Sequence, residues 1–378
     1  MSQIQNDNNK CVRILCATLF IVFTFLYIHY YQADLMCLTQ HLCSGGKTHY
    51  NRVGGTIIVT STLFLLQFVV GRLFQRLNLM YALSYIPSIL LLTALTSIKP
   101  SATTYTFGLW NYGLPISFAL YIGLMYALWR FCDVTRFMYH YGLRTLLASN
   151  TLCMILFFLF VCSASNTDAK LHLRLKAEQY IMVNDYKSAL DIIKETNVND
   201  SSLTMISVYA LAHENKIGEE LFNYDLTGGS NALLPDGKST WWNLYSDAKF
   251  YNSIGVYFKQ KMSAHQYFDF LLRHNKINKR NADYLLATFL LDKDLDSFAT
   301  YIPVFYNVEK PLPKHYREAL LLYTHLRSNP QIIFHSNIME ADFQDFQSLE
   351  KKYTQKDLCR NMLHDTYGNT YWFYYFYS

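Results

Sequence analysis

Five stretches of this chain, about 14–31, 53–71, 79–98, 114–129 and 145–162, are long, apolar and free of Asp, Glu, Lys and Arg. A helix must supply roughly 20 apolar residues to cross a bilayer. A chain that repeats such runs at short intervals is constrained to a bundle in lipid, because the runs have no other solvent. The spacing predicts about five membrane spans within a domain of residues 1–162.

Charge separates this half from the rest. Residues 1–162 hold ten Lys or Arg and three acids (Asp7, Asp34, Asp133), whereas residues 163–378 hold 23 basic and 25 acidic residues. The overall +5 therefore belongs to the apolar half, where basic residues set topology and give no reason to expect nucleic acid. With a cytoplasmic N-terminus, Lys10, Arg13, Arg72, Arg76, Arg130, Arg136 and Arg144 lie inside, and only Lys47, Arg52 and Lys99 lie outside. Five crossings then place residues 163–378 in the periplasm of a bacterial inner membrane. The exit of the first run, "YIHYYQADL", lacks a small-x-small cleavage site, so it reads as an anchor.

No Asp, Glu, Lys or Arg sits within a run, which disfavours a proton- or ion-coupled pump. Gln67, Asn150, His29 near an interface, and Ser and Thr are the polar exceptions, and helix packing explains them more simply than a transport path. A polar cavity near Gln67, Asn150 and Tyr121 would favour a transport or enzyme reading. Tyr30, Tyr31, Trp110 and Trp129 at the run ends form an aromatic belt.

Beyond residue 168 the pattern is helical with short polar breaks. In "LKAEQYIMVNDYKSALDIIKETN" the residues Ala177, Tyr180, Tyr186, Ala189 and Ile193 occupy the small and aromatic packing positions of a tetratricopeptide helix pair. Asn184-Asp185 provides the turn. Weaker pairs follow, turning near Asn215, Gly255 and Asp292 to Asp294. The expected fold is all-α: a transmembrane bundle followed by an extracytoplasmic α-solenoid over residues 163–378.

The chain ends in "TYGNTYWFYYFYS", and Tyr371, Trp372, Phe373, Tyr374 and Tyr375 make a tail that water cannot accommodate. Three roles stay open for it: a cap over the last helix pair, a contact with lipid headgroups, or a partner's docking surface.

Other motifs invite chemistry. "ALLPDGKS" (232–239) fits a relaxed phosphate-loop pattern, but it follows a helix and Pro235 removes an N–H, so it reads as a loop. Cys37 and Cys43 could form a disulfide in an oxidising compartment, hold a metal with His41 and His49, or stay unpaired. His315 and Glu318, three apart, read as a surface pair. No catalytic constellation emerges, and the expectation is a protein without enzymatic activity and without cofactor or metal.

"LQFVV" in the second run, "NADYLLATFLLDKDL", "LPKHYREALLLY" and "YGNTYWFYYFY" resemble a family of Bacteroidota inner-membrane proteins whose outer halves are tetratricopeptide-like. The resemblance implies location and architecture only, since that family carries no established activity. The expected partners are the lipid bilayer and an envelope protein or peptide bound by the repeats. The alternative is a membrane enzyme or transporter acting on lipid-linked or envelope substrates, with the repeats as an accessory.

Overall fold

The computed structural model describes residues 2–73, 81–101, 104–131, 142–196 and 198–378. It is almost entirely helical, with one two-stranded ribbon (β1, Lys99–Pro100; β2, Tyr105–Thr106) among the described residues. The chain forms two compact units, Met1–Asp168 and Ala169–Ser378.

Among the described residues of the first unit, four helices are long and apolar enough to cross a membrane: Asn9–Tyr31, Arg52–Leu73, Trp110–Leu128 and Leu143–Ala164. They belong to α1 (Ser2–Leu26, extended by a π turn at Tyr27–Tyr31), α3 (Arg52–Leu73), α5 (Trp110–Phe131) and α6 (Leu143–Ala164). A short helix α2 (Ala33–Ser44) follows α1.

The run expected as a third span is different, and its first two residues, 79 and 80, lie outside the described residues. Tyr81 to Tyr85 wind as a 3-10 turn, and the α-helix α4 covers only Ile86–Leu95, with Pro87 in its first turn. Proline fits there because its missing N–H would have no helical partner at that end. Ten α-helical residues rise only ~15 Å, so α4 alone is too short to span. Among the described residues, four long helices thus stand where five spans were expected.

α4 is also the most enclosed, with Ser88, Ile89, Leu92 and Thr93 all buried. Its lower end is tied by side chains. Asn150 Oδ1 accepts from Ala82 N at 2.9 Å, Gln67 Nε2 donates to the Tyr81 hydroxyl at 2.8 Å and to Ser84 Oγ at 3.0 Å, and the Arg13 guanidinium lies 5.4 Å from the Tyr81 ring centre. At its other end the Thr96 and Ser165 hydroxyls are 2.7 Å apart, and Asn166 Nδ2 donates to the Ile98 carbonyl at 2.9 Å. Gln32 Nε2 reaches the Asn166 carbonyl at 3.4 Å. The segments 13–32, 81–98 and 150–166 therefore run side by side in one direction. Arg52 Nε bonds the His29 carbonyl at 2.8 Å, so α3 starts where α1 ends and runs back.

The second unit repeats one local device. Asn184, Asn215, Asn275 and Lys293 all have left-handed φ, 60°, 57°, 52° and 61°. At each, the next residue's N–H returns to a carbonyl five residues earlier: Asp185 to Tyr180, Lys216 to Leu211, Lys276 to Leu271 and Asp294 to Phe289. This six-to-one bond closes the helix and turns the chain into the next. It joins α7 (Ala169–Met182) to α8 (Tyr186–Lys194), α9 (Ser201–His213) to α10 (Ile217–Glu220), and α13 (Lys279–Leu291) to α14 (Leu295–Phe305). Asp185 and Asp294 also cap the second helix of their pairs.

α11 (Asp247–Ile254) and α12 (Ala264–Arg273) lie between the second and third pairs, and α12 opens with a capping box of Ser263 and Gln266. α15 (Lys314–Leu326), α16 (Asn337–Lys352), α17 (Lys356–Tyr367) and α18 (Tyr371–Tyr377) complete the unit. Ser202 to Ala212 of α9 and Asn281 to Leu291 of α13 are buried without a break, and α15 is buried from His315 to Tyr323 except at Arg317. Helices apolar on every face belong inside a core. In an open stack each pair would touch only its neighbours. Here α15 packs back on α10, with Lys314 N donating to Glu219 Oε2 at 3.1 Å and Phe222 N to His315 Nε2 at 3.4 Å.

Candidate functional site

The sequence-selected residues are distributed as follows. Ala177 and Ala189 are fully buried and Ile193 nearly so, which lets α7 and α8 approach closely, while Tyr180 and Tyr186 lie half-buried against the same core. Cys37 and Cys43 are both on α2 and no bridge joins them. Six helical residues separate Cα atoms by ~9 Å, beyond the reach of a disulfide, so that option is excluded while α2 is helical.

The loop 232–239 carries its own anion. The Asp236 carboxylate accepts from the N–H groups of Lys238, Ser239 and Thr240 and from the Ser239 hydroxyl at 2.7–2.9 Å. Burial pushes this carboxyl up, but the donors outweigh it and hold the pKa at about 2. The backbone donors that a phosphate would need are occupied.

His315 and Glu318 are not a surface pair. Both are buried because α15 is a central helix, and His315 Nδ1 lies 2.9 Å from Glu318 Oε2. This pair receives the aromatic tail. Tyr371 N donates to Glu318 Oε2 at 2.8 Å, and Trp372 Nε1 donates to the Glu318 carbonyl at 2.9 Å. Tyr371, Trp372 and Phe373 are buried, and Thr370 caps the short helix that contains them. Tyr374 and Tyr375 are half-buried; the Tyr374 hydroxyl bonds the Leu291 carbonyl at 2.8 Å, and Lys293 Nζ lies 6.0 Å from the Tyr375 ring centre. Trp372 packs against Phe343 with tilted rings 5.1 Å apart, and Phe222 lies between Tyr371 and Tyr374 at 5.1 and 4.9 Å. The tail fastens α13, α15 and α16 to the end of the second helix pair.

Phe222 has a second role. Its surroundings open into a cleft of about 370 Å³ bounded by the end of α8, the segment 222–225 and the end of α17. Ile193, Leu203 and Phe222 make a buried floor, with Val198 and Tyr224 half-buried beside it. Lys194, Thr196, Asp225, His364, Asp365 and Asn369 form an exposed polar rim. Asn223 Oδ1 is buried in the lining without a hydrogen-bond donor. The Tyr224 hydroxyl is pushed up to about 12 by burial and by the carboxylates of Glu220 and Asp191. The accessible lining is mostly polar over a small apolar floor, a surface that suits a polar or charged segment better than an apolar ligand.

A second cavity, about 560 Å³, lies between the α12–α13 turn and the end of α14, with Leu272, Ile277, Val304 and Phe305 as an apolar wall. Below it the Asp283 carboxylate accepts from the hydroxyls of Tyr306 at 2.6 Å and Tyr316 at 2.8 Å. Burial raises the Asp283 pKa against the pull of these two donors. Among the described residues no three His, Cys, Asp or Glu come together as metal ligands.

The first cleft is invisible in the sequence. Its walls come from three segments, the first and last of them lying between Ile193 and Asn369 at opposite ends of the unit's sequence. The one available signal was Phe222, a large aromatic at the end of a helix pair.

The fold and cleft define an all-helical protein with membrane-compatible helices and a separate unit built from helix–turn–helix pairs. Residues 244–378, from just before α11 through the aromatic tail, match the model of a family described as a family of unknown function, DUF6057. No curated protein and no solved structure matches the chain.

Proposed function

We propose that this is an inner-membrane protein of the bacterial envelope whose helical unit, held in the periplasm, docks an envelope protein or peptide in the cleft beside Phe222. The cleft carries the reading: its floor is apolar, its rim holds both donors and acceptors, and the buried tail braces it from behind. Grooves of this kind suit an extended segment whose side chains enter a pocket while its backbone meets polar groups.

The location draws support from the first unit. Segment 81–98 combines a 3-10 turn, α4 and three further residues, the first of which, Thr96, still bonds back to the helix. Rises of ~2.0 and ~1.5 Å per residue, and up to ~3.3 Å for the last residues, bring it to ~33 Å, enough to cross a bilayer's apolar core of ~30 Å. Non-helical backbone is tolerated at that depth where protein covers it, and Ala82, Tyr85, Thr96 and Ile98 are all buried. Five crossings by this count agree with the distribution of Lys and Arg, and on this reading the N-terminus and the helical unit face opposite sides. The resemblance to the Bacteroidota family points to the same compartment. The enzyme or transporter alternative gains nothing from Gln67 and Asn150, whose amides tie α4 to its neighbours.

A photo-crosslinking amino acid placed at Thr196 or Thr366 in the cleft, in living cells, tests the docking reading. One discrete adduct is expected from the cleft and none from Lys259 on another surface. Equal adducts from both places, or none from the cleft, would remove it.

A further inference from the structure

We propose that the cleft selects a positively charged side chain, so that its occupant is an extended segment presenting an arginine or lysine; this rests on the docking reading above. Three independent features converge there. α8 ends at Lys194 and α17 at Tyr367, and both helix ends line the cleft. Each brings the partial negative charge of its last carbonyls. Asp225 and Asp365 both line the rim, from the segment after Phe222 and from the end of α17, and the carboxylates of Asp191 and Glu220 act on the Tyr224 hydroxyl.

The buried Asn223 Oδ1 is an acceptor without a donor. A buried polar atom left unsatisfied is costly, and a guanidinium or ammonium entering from the rim supplies the missing N–H. Two basic residues on the rim oppose the assignment, Lys194 and His364. Lys194 is an exposed rim residue, and His364 already lies 4.0 Å from Asp365. The acidic groups and helix ends outnumber them.

The reach of the cleft separates this occupant from a free cation. Ile193, Leu203 and Phe222 offer nothing to a hydrated metal ion, but they accept the methylene stem of Lys or Arg while its charged head stays at the polar rim.

The test uses the full chain in a neutral detergent, titrated calorimetrically with acetyl-Ala-Leu-Arg-Ala-amide and with the same peptide carrying citrulline, which keeps the shape and loses the charge. The arginine peptide is expected to bind about tenfold more tightly, and the double variant Asp225→Asn, Asp365→Asn to lose about tenfold for it alone, roughly the upper end of what two exposed charge pairs provide. Thr366→Trp, filling the cleft, should abolish both. Circular dichroism of each variant reports whether the fold is retained.

Equal binding of the two peptides, or tighter binding of a glutamate peptide, overturns the charge assignment. Binding of neither peptide also overturns it. In each case the docking reading stands if the cleft positions still crosslink and falls if they do not.

Discussion

Removing Trp372 should loosen the tail without melting the rest of the unit. Its indole is only 2 % exposed, packs 5.1 Å from the Phe343 ring, and holds the Glu318 carbonyl through Nε1. Trp372→Ala should therefore cost ~3–5 kcal/mol. Most of this falls on α17 and α18, because the core around α9 and α13 keeps its own contacts. Cys359 reports that opening directly: it is buried, and its Sγ sits 3.7 Å from the Tyr377 hydroxyl. With the other cysteines changed to serine, maleimide labelling of Cys359 should accelerate by about 10² to 10³·⁵, the equivalent of that free energy. Phe376→Ala, at a residue 43 % exposed, should change the rate by only a few-fold. An acceleration below tenfold for Trp372→Ala, or one matched by Phe376→Ala, would refute the claim that the tail is a structural fastener.

Asp236→Asn removes a carboxylate held at about 2 by loop N–H groups. Because its folded pKa is depressed, its stabilisation is present above the unfolded value near 3.9 and fades as pH falls toward 2. Allowing for solvent screening, wild type should exceed the variant by about 1 kcal/mol at pH 7, with the gap closing in urea titrations below pH 4. Glu178→Gln should be more severe, by ~2–4 kcal/mol. The buried Glu178 carboxylate accepts from Asn243, Leu244 and Tyr245 N–H groups, and an amide NH₂ would face these donors; a thermal midpoint within a degree of wild type would count against this. Asn215→Val forces a branched residue into φ 57° and should cost ~1–2 kcal/mol, whereas Asn215→Gly should be near neutral in the same melts.

The apolar runs were readable because lipid leaves a chain few options, and the structure keeps four of them as long helices. The third run misleads for a local reason: nothing in "YALSYIPSILLL" says that its first turn will wind as 3-10. That depends on Asn150 and Gln67, residues on other helices. The turns at Asn184 and Asn215 were legible since asparagine tolerates left-handed backbone. The burial of His315 and Glu318 was not, because a polar pair three apart looks the same on a surface as in a core. Only the packing of α15 among α10, α14 and α18 distinguishes the two. The density of aromatic residues in the tail signalled a surface needing cover, but the covering residues, Phe222 among them, are far away in sequence.

That distance has a consequence for how the protein is made. Phe222 meets Tyr371 and Tyr374 across about 150 residues. At ~5–20 residues per second of synthesis, its ring and the second helix pair wait on the order of ten to thirty seconds for their cover. During that interval the cleft has its floor but no brace, and the apolar side of α10 faces whatever is nearby. A chaperone has that long to occupy the place that the aromatic helix finally takes.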